Sequence, residues 1–486
     1  MSTRVLYAVL VISLIVPIST TLIYGSPQFP DTWIQMRVAK EAFTTGHLRV
    51  WDSYDTNWPL VNVILSLTSY LTGLDLRYVI YVVLIIITGL SIIPLYMILY
   101  YRNKTTIYSI IFLLGVVFEP MYLTLISSFQ KEAAPLMILN LLLLFIVASR
   151  RVYPVIFLLV IGVLLGHHFV SLYVLLLFIT VVVYEALEYL RKGEPPIFNI
   201  KIMLFFIILI SVYQYFVGFR FIGEFEYYRF SQSDIIVLTS FYVLSFILVY
   251  GRRGESVRPS TQVLIFIILC LSYISIRYIG VFGFNLPKPS ILELIVVLGY
   301  ILLVYNSLKA KDYGLDKAII PAIALTLYGI TLEPIYGGVT VLIKALRRII
   351  PLLSLQAAIK PFRVASILFL AIMLLAFLAH IQGYVVFGGP AIYKLSEVED
   401  ARSLALLVNG NDVRCSWRTG VLLKYYNPNL VLDNLLMEHR ESLLIVSEIE
   451  IHRGLMGRVW YQYIPVDVIE RGKDVLYTSG VFYVYR

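Results

Sequence analysis

The sequence predicts an all-α polytopic membrane protein of about thirteen transmembrane helices, read from apolar runs of spanning length, followed by a small soluble α/β domain. Three observations carry that expectation. Of 486 residues, 59% are hydrophobic and 14% charged, against roughly 25% charged in an average soluble domain. Apolar stretches of about twenty residues, long enough to cross roughly 30 Å of hydrocarbon, recur over 5–387. From 388 onward polar and apolar residues mix and Gly and Pro punctuate the chain. The expected division is therefore a transmembrane domain over 1–387 and a soluble domain over 388–486.

The first stretch, 5–24, follows Arg4. Its apolar run exceeds a secretory signal core and no small-x-small cleavage site follows, so an uncleaved anchor helix is expected. The two cysteines, Cys270 and Cys415, form no disulfide framework. The net charge of +9 is spread through short connections rather than gathered in one patch, which excludes a nucleic-acid surface and assigns the charge to topology.

Basic residues between apolar runs fall at Arg102/Lys104, Arg150/Arg151, Arg191/Lys192/Lys201, Arg252/Arg253/Arg258, Lys309/Lys311/Lys317 and Lys360/Arg363. By the positive-inside rule these connections face the cytoplasm. The alternate connections, 127–132, 166–168, 220–234, 281–290 and 334–348, face outward. The spans then run near 5–24, 77–100, 106–126, 133–148, 154–166, 169–190, 201–219, 234–250, 260–280, 290–307, 318–335, 349–362 and 364–386. The amino terminus is inside and the tail outside, as in a multi-pass plasma-membrane protein. The apolar run 59–73 is short for a span, and its crossing would invert every later connection, so it is read as a helix in the outer interface.

In the tail, Ser396 with Glu399 forms a capping-box pattern opening a helix to about Val408. Strand-like runs follow at 430–432, 442–447, 459–464 and 475–485, the last interrupted by Thr478-Ser479-Gly480.

Ionisable groups at or below a bilayer surface need water, a partner charge or a ligand, and so mark function. They collect on the predicted outer side. The outer loop 25–76 holds Asp31, Glu41, His47, Asp52 and Asp55 with Trp33, Trp51 and Trp58. Trp33, Met36, Val38, Ala39, Ala42 and Phe43 share one helical face, with Arg37, Lys40 and Glu41 toward the other, which reads as an interfacial helix ending at Gly46. Asp31 after Pro30 suits the amino cap of that helix; a carboxylate there also suits a general base.

The run Phe29-Pro30-Asp31, then Ala39-Lys40-Glu41-Ala42, Gly46, and Asn57-Trp58-Pro59-Leu60 before the apolar stretch to Gly73, resembles the first outer loop of GT-C glycosyltransferases. That superfamily includes protein mannosyltransferases, lipid A aminoarabinose transferases and oligosaccharyltransferase catalytic subunits. The resemblance implies a many-span fold and places Asp31 as the loop's acidic residue, a general base or, in metal-dependent branches, a ligand to a divalent cation. Arg347-Arg348-Ile349-Ile350-Pro351 resembles the Arg-x-x-x-Pro pattern opening a late span. With Lys344 it makes a basic cluster suited to a donor phosphate, because Arg offers paired donors to phosphate oxygens; snorkelling to headgroups is the simpler role.

Gly166-His167-His168 between two spans offers groups to hold a metal, polarise a phosphate or orient an acceptor, or simply packing. Lys131-Glu132 suits an ion pair or a cavity wall. Glu119 and Glu333, each before a proline, need partners, and the loop around Glu224, Glu226, Tyr227, Tyr228 and Arg229 reads as a solvated connection or a lid. No Asp-x-Asp stands in the second outer connection, no Trp-Trp-Asp in the tail, and Trp58-Pro59 replaces the His-Pro-Pro of protein mannosyltransferases. The expected function is transfer of a sugar from a polyprenyl-phosphate donor to a protein or glycolipid acceptor outside the membrane. The rivals are a transporter or flippase for lipid-linked or anionic substrates, and a non-catalytic scaffold of a surface assembly.

Overall fold

A computed structural model describes residues 3–24, 30–47, 56, 58–102, 104, 106–127, 131–193, 195–218, 232–251, 291–307, 312–336, 339–382, 395–408, 412–427, 429–430, 432–433, 443–447, 455–456, 463–464, 475–478 and 482–485. The predicted span 260–280, the loop around Glu224 to Arg229, and the basic residues Arg252, Arg253, Arg258, Lys309 and Lys311 lie outside these.

The helices are α1 (Thr3–Tyr24), α2 (Pro30–Thr45), α3 (Leu60–Thr72), α4 (Leu76–Tyr101), α5 (Ile107–Val117), α6 (Pro120–Ser127), α7 (Ala133–Val147), α8 (Tyr153–Gly166), α9 (His168–Lys192), α10 (Ile200–Tyr213), α11 (Gln232–Tyr250), α12 (Ile291–Ser307), α13 (Tyr313–Tyr336), α14 (Val339–Ile359) and α15 (Arg363–Ile381). Their ends obey local rules. Thr106 and Ser109 form a capping box for α5, Asn199 caps α10, and Gly73 and Gly193 end α3 and α9 in the left-handed region at φ 69° and 71°. By length and composition, three helices among the described residues suffice to cross a membrane, or up to five if each of two bent pairs is one span.

One bent pair is α5 and α6, turned by 57° where the sequence suggested the single span 106–126. Pro120 lacks an N–H and disfavours helix in the residue before it, so the chain breaks at Glu119. The other is α3 and the start of α4, turned by 106°. α14 begins at Val339, so Arg347 and Arg348 lie inside a helix, whereas the sequence placed them in an outer connection before a span at 349.

The predicted basic connections meet at one end of the bundle. Arg102 pairs with Asp312 at 2.9 Å and donates to the Val147 carbonyl. The Arg150 guanidinium lies 5.3 Å over Tyr101, and the Asn199 amide donates to the Tyr153 hydroxyl at 2.8 Å. The Ser109 hydroxyl donates to Ala358, and the Phe362 amide to Asn306. Lys317, read as a connection charge, is instead buried and paired with Glu185. At the opposite end Thr21 donates to the Ser127 carbonyl at 2.7 Å, and Trp58 lies 4.9 Å from His168. Trp58 and the start of α4 therefore belong to the same end, because Arg102 closes α4 at the other. α3 thus starts and finishes on one side.

Beyond α15 stand α16 (Leu395–Leu407) and α17 (Trp417–Tyr426) with strands β1 (Val413–Cys415), β2 (Leu432–Asp433), β3 (Leu443–Ser447), β4 (Leu455–Met456), β5 (Tyr463–Ile464), β6 (Val475–Thr478) and β7 (Phe482–Tyr485). A five-stranded sheet has the order β2-β1-β3-β7-β6. β1 runs parallel to β2 and β3, while β7 runs antiparallel to β3 and β6.

Close packing positions α8. A Cβ on Gly166 would stand 2.3 Å from Pro135 Cγ on α7 and 3.3 Å from Leu60 Cδ2 on α3. Gly166→Val is therefore expected to push α8 away from both and shift the adjoining His167. The overpacking should cost about 1–3 kcal/mol, read as a lower unfolding temperature in detergent.

Candidate functional site

Residues singled out in three separate stretches converge at the end of the bundle that carries Trp58. Glu132 sits just before α7, His167 at the junction of α8 and α9, and Arg347 and Arg348 in α14. All are buried. Glu132 is the hub: its Oε1 faces His167 Nε2 at 3.4 Å, while its Oε2 faces Arg348 Nη2 at 3.3 Å and Arg347 Nη1 at 3.7 Å. The Arg348 guanidinium also stacks 4.6 Å over Phe169, which satisfies the face of a cation whose edge meets the carboxylate.

His167 caps α9. Its Nδ1 accepts the Phe169 N–H at 3.2 Å, so the proton of the neutral ring belongs on Nε2, toward Glu132. Neither nitrogen then offers a lone pair to a metal, and the Glu132 carboxylate already faces two guanidinium groups. Among the described residues no group of three or more His, Cys, Asp or Glu is placed to hold a metal ion. The described cluster gathers two guanidinium groups, a donor set of the kind that pairs with oxyanions.

A wall continues from it. His167 stacks on His168 at 4.4 Å, His168 meets Trp58 at 4.9 Å, and the Lys131 ammonium lies 5.3 Å over the Trp58 ring. The Gln214 amide donates to the His168 carbonyl at 3.0 Å, tying the end of α10 to the same place. The structure therefore brings together Lys131, Glu132, His167, His168, Arg347 and Arg348. Trp58 and Phe169 join them. Trp58 stood out in the sequence only as part of a motif, and Phe169 had no signal beyond following the histidine pair.

Glu119, for which the sequence named no partner, accepts the N–H groups of Met121 and Tyr122 at 3.0 and 2.6 Å, and the Tyr300 hydroxyl. It thereby caps α6. Asp31 stands in the first turn of α2, since that helix begins at Pro30 rather than after Asp31. Its side chain, with those of Lys344 and Glu333, lies outside the described part of the structure.

The buried face of α2 includes Trp33, Met36, Val38 and Ala39, whereas Phe43, expected on that face, is exposed. α2 lies between α3 and the tail helix α17. Trp33 packs against Tyr425 with ring centroids 4.7 Å apart, and the Ser66 hydroxyl of α3 donates to the Ala39 carbonyl at 3.0 Å.

The chain matches no protein-family model and no curated protein. Among solved structures it is similar to ArnT from Cupriavidus metallidurans bound to undecaprenyl phosphate. That likeness has 12% identity and a TM-score of 0.43, covering 100% of this chain and 98% of that one. It is also similar to the arabinofuranosyltransferase AftD from Mycobacteria, at 16% identity and a TM-score of 0.44, over 85% of this chain but 29% of AftD.

Proposed function

We propose that the chain is a membrane glycosyltransferase that moves a sugar from a polyprenyl-phosphate donor to an acceptor on the outer face. The single observation that supports this best is the buried Arg347–Arg348 pair facing one shared carboxylate. Two guanidinium groups gathered on Glu132 make a buried basic cluster, and guanidinium groups offer paired donors that match the oxygens of a phosphate. A lipid-linked phosphate enters from the bilayer and places its charge at that depth.

In this reading Asp31 takes the proton of an acceptor hydroxyl. The hydroxyl oxygen bonds to the anomeric carbon as the bond from that carbon to the phosphate oxygen breaks, inverting its configuration. The departing electron pair stays on the phosphate, which Arg347 and Arg348 hold, with Lys344 one helical turn away in sequence. Because the leaving phosphate is already an anion, no general acid is needed, and stabilisation of its growing charge is the main demand. Lys131, His168 and Trp58 would form the wall between donor and acceptor. The cluster's end of the bundle would then be extracytoplasmic, with the amino terminus in the cytoplasm and the tail outside the plasma membrane.

The test is the mass profile of cell-surface glycoproteins and glycolipids in a deletion strain carrying wild type, Asp31→Asn or no gene. A defined sugar increment present only with wild type supports the reading. Three identical profiles would remove it in favour of transport or scaffolding.

The wall makes a separate prediction. Trp58→Ala removes a fully buried ring between Lys131 and His168 and should cost about 3–5 kcal/mol; Trp58→Phe should recover most of that stability in detergent melts.

A further inference from the structure

α2 is sixteen residues long and carries Gln35, Arg37, Lys40 and Glu41 among its apolar residues. A helix of that length is marginal alone, so it is held by what packs on it. One side rests on α3. The other meets α17, where the fully buried Trp33 sits 4.7 Å from Tyr425 at 75° and 6.2 Å from Tyr426. The Lys40 ammonium lies 5.4 Å over the Tyr425 ring, two turns further along α2. Burial, reinforced by the nearby Asp75 carboxylate, pushes the Tyr425 phenol up, so it meets Trp33 as a neutral ring at physiological pH.

α17 is itself tied into the tail. It follows β1, in the sheet, after Ser416, whose hydroxyl accepts the Thr419 N–H at 3.2 Å. At its far end the Asn427 side-chain amide donates to the Ala405 carbonyl of α16 at 3.2 Å. The tail thus meets α2 through an aromatic contact.

We propose that α17 is a positioning element for the transfer reaction, holding the first turns of α2 and through them Asp31, which precedes Trp33 on the same helix. The inference rests on the reading of Asp31 as general base. Misplacing a reacting group by about 1 Å costs on the order of a hundredfold in rate. The donor-phosphate cluster is built from other helices, so loss of the Tyr425 contact would lower transfer and leave phosphate binding intact.

The experiment compares Tyr425→Ala, Tyr425→Phe and Asp31→Asn in the full-length protein. Three readouts are taken: the surface sugar increment at matched expression, hydrogen exchange of the 30–45 amides, and the thermal shift produced by decyl phosphate. Tyr425→Ala is expected to speed exchange across α2 and cut the increment about tenfold or more. The decyl phosphate shift should be unchanged, and Tyr425→Phe, which keeps the ring, should restore both other readouts. If Tyr425→Ala does not fold, Tyr425→Leu preserves bulk without the ring and is judged by the same outcomes. Loss of the increment with Asp31→Asn but not with the Tyr425 variants overturns the positioning role alone. Loss with Tyr425→Ala while Asp31→Asn stays active overturns the general-base reading and this proposal with it.

Discussion

Glu132→Ala should destabilise the protein by about 3–5 kcal/mol, the range for breaking a buried ion pair from one side. The reason is that one carboxylate serves three groups. Without it, Arg347, Arg348 and His167 all lose the carboxylate that they face in the interior of the bundle. Thermal unfolding of detergent-purified protein measures the effect. Adding Arg348→Met to Glu132→Ala should recover part of the loss, since it removes one of the two cations that faced the deleted carboxylate. Additive losses would mean that the carboxylate and the guanidinium act independently. The recovered protein should still fail to bind a phosphate ester, which separates the structural role of the hub from its functional one.

Asp31→Asn is expected to lower sugar transfer about 10²- to 10⁴-fold, the usual contribution of a positioned proton-transfer group, while leaving the melting temperature within a few degrees. The asparagine keeps the size and an acceptor oxygen in the first turn of α2, where it can still serve a helix start. It loses the basicity. A variant that melts like wild type and transfers normally would assign Asp31 to the helix start alone.

Much of this arrangement is legible in the sequence, and the parts that are not fail for identifiable reasons. Among the described residues the connections around Arg102, Arg150 and Asn199 meet at one end of the bundle, and Trp58, Glu132 and His167 at the other, as the alternation of basic and non-basic connections suggests. Lys317 lies at the predicted end but is buried, because Glu185, which also accepts the Ile197 N–H, pairs with it, and no local pattern reveals a partner 132 residues away. Arg347 and Arg348 look like connection charges for the same reason: Glu132, which lets α14 carry them below the surface, is 216 residues from Arg348. The break at Glu119 is written in the following proline, but the apolar residues on both sides conceal it. In the tail, β1 is only three residues long, and α17 contains Gly420 and two adjacent tyrosines, which weakens its helical signature.

The candidate site shows the same division. The residue types were visible one by one as charges in an apolar chain, whereas their convergence on a single carboxylate is a property of the folded bundle.

Transfer from a lipid-linked phosphate requires the Arg347–Arg348 cluster to hold that phosphate. The most direct measurement is a binding titration of the purified protein with decyl phosphate and, in parallel, with decanol, for wild type and Arg348→Met. Wild type should bind the phosphate saturably and the alcohol at least tenfold more weakly, and Arg348→Met should lose that preference, as expected when a charge-assisted contact is removed. Equal binding of phosphate and alcohol by wild type, or an unchanged preference in the variant, would contradict it.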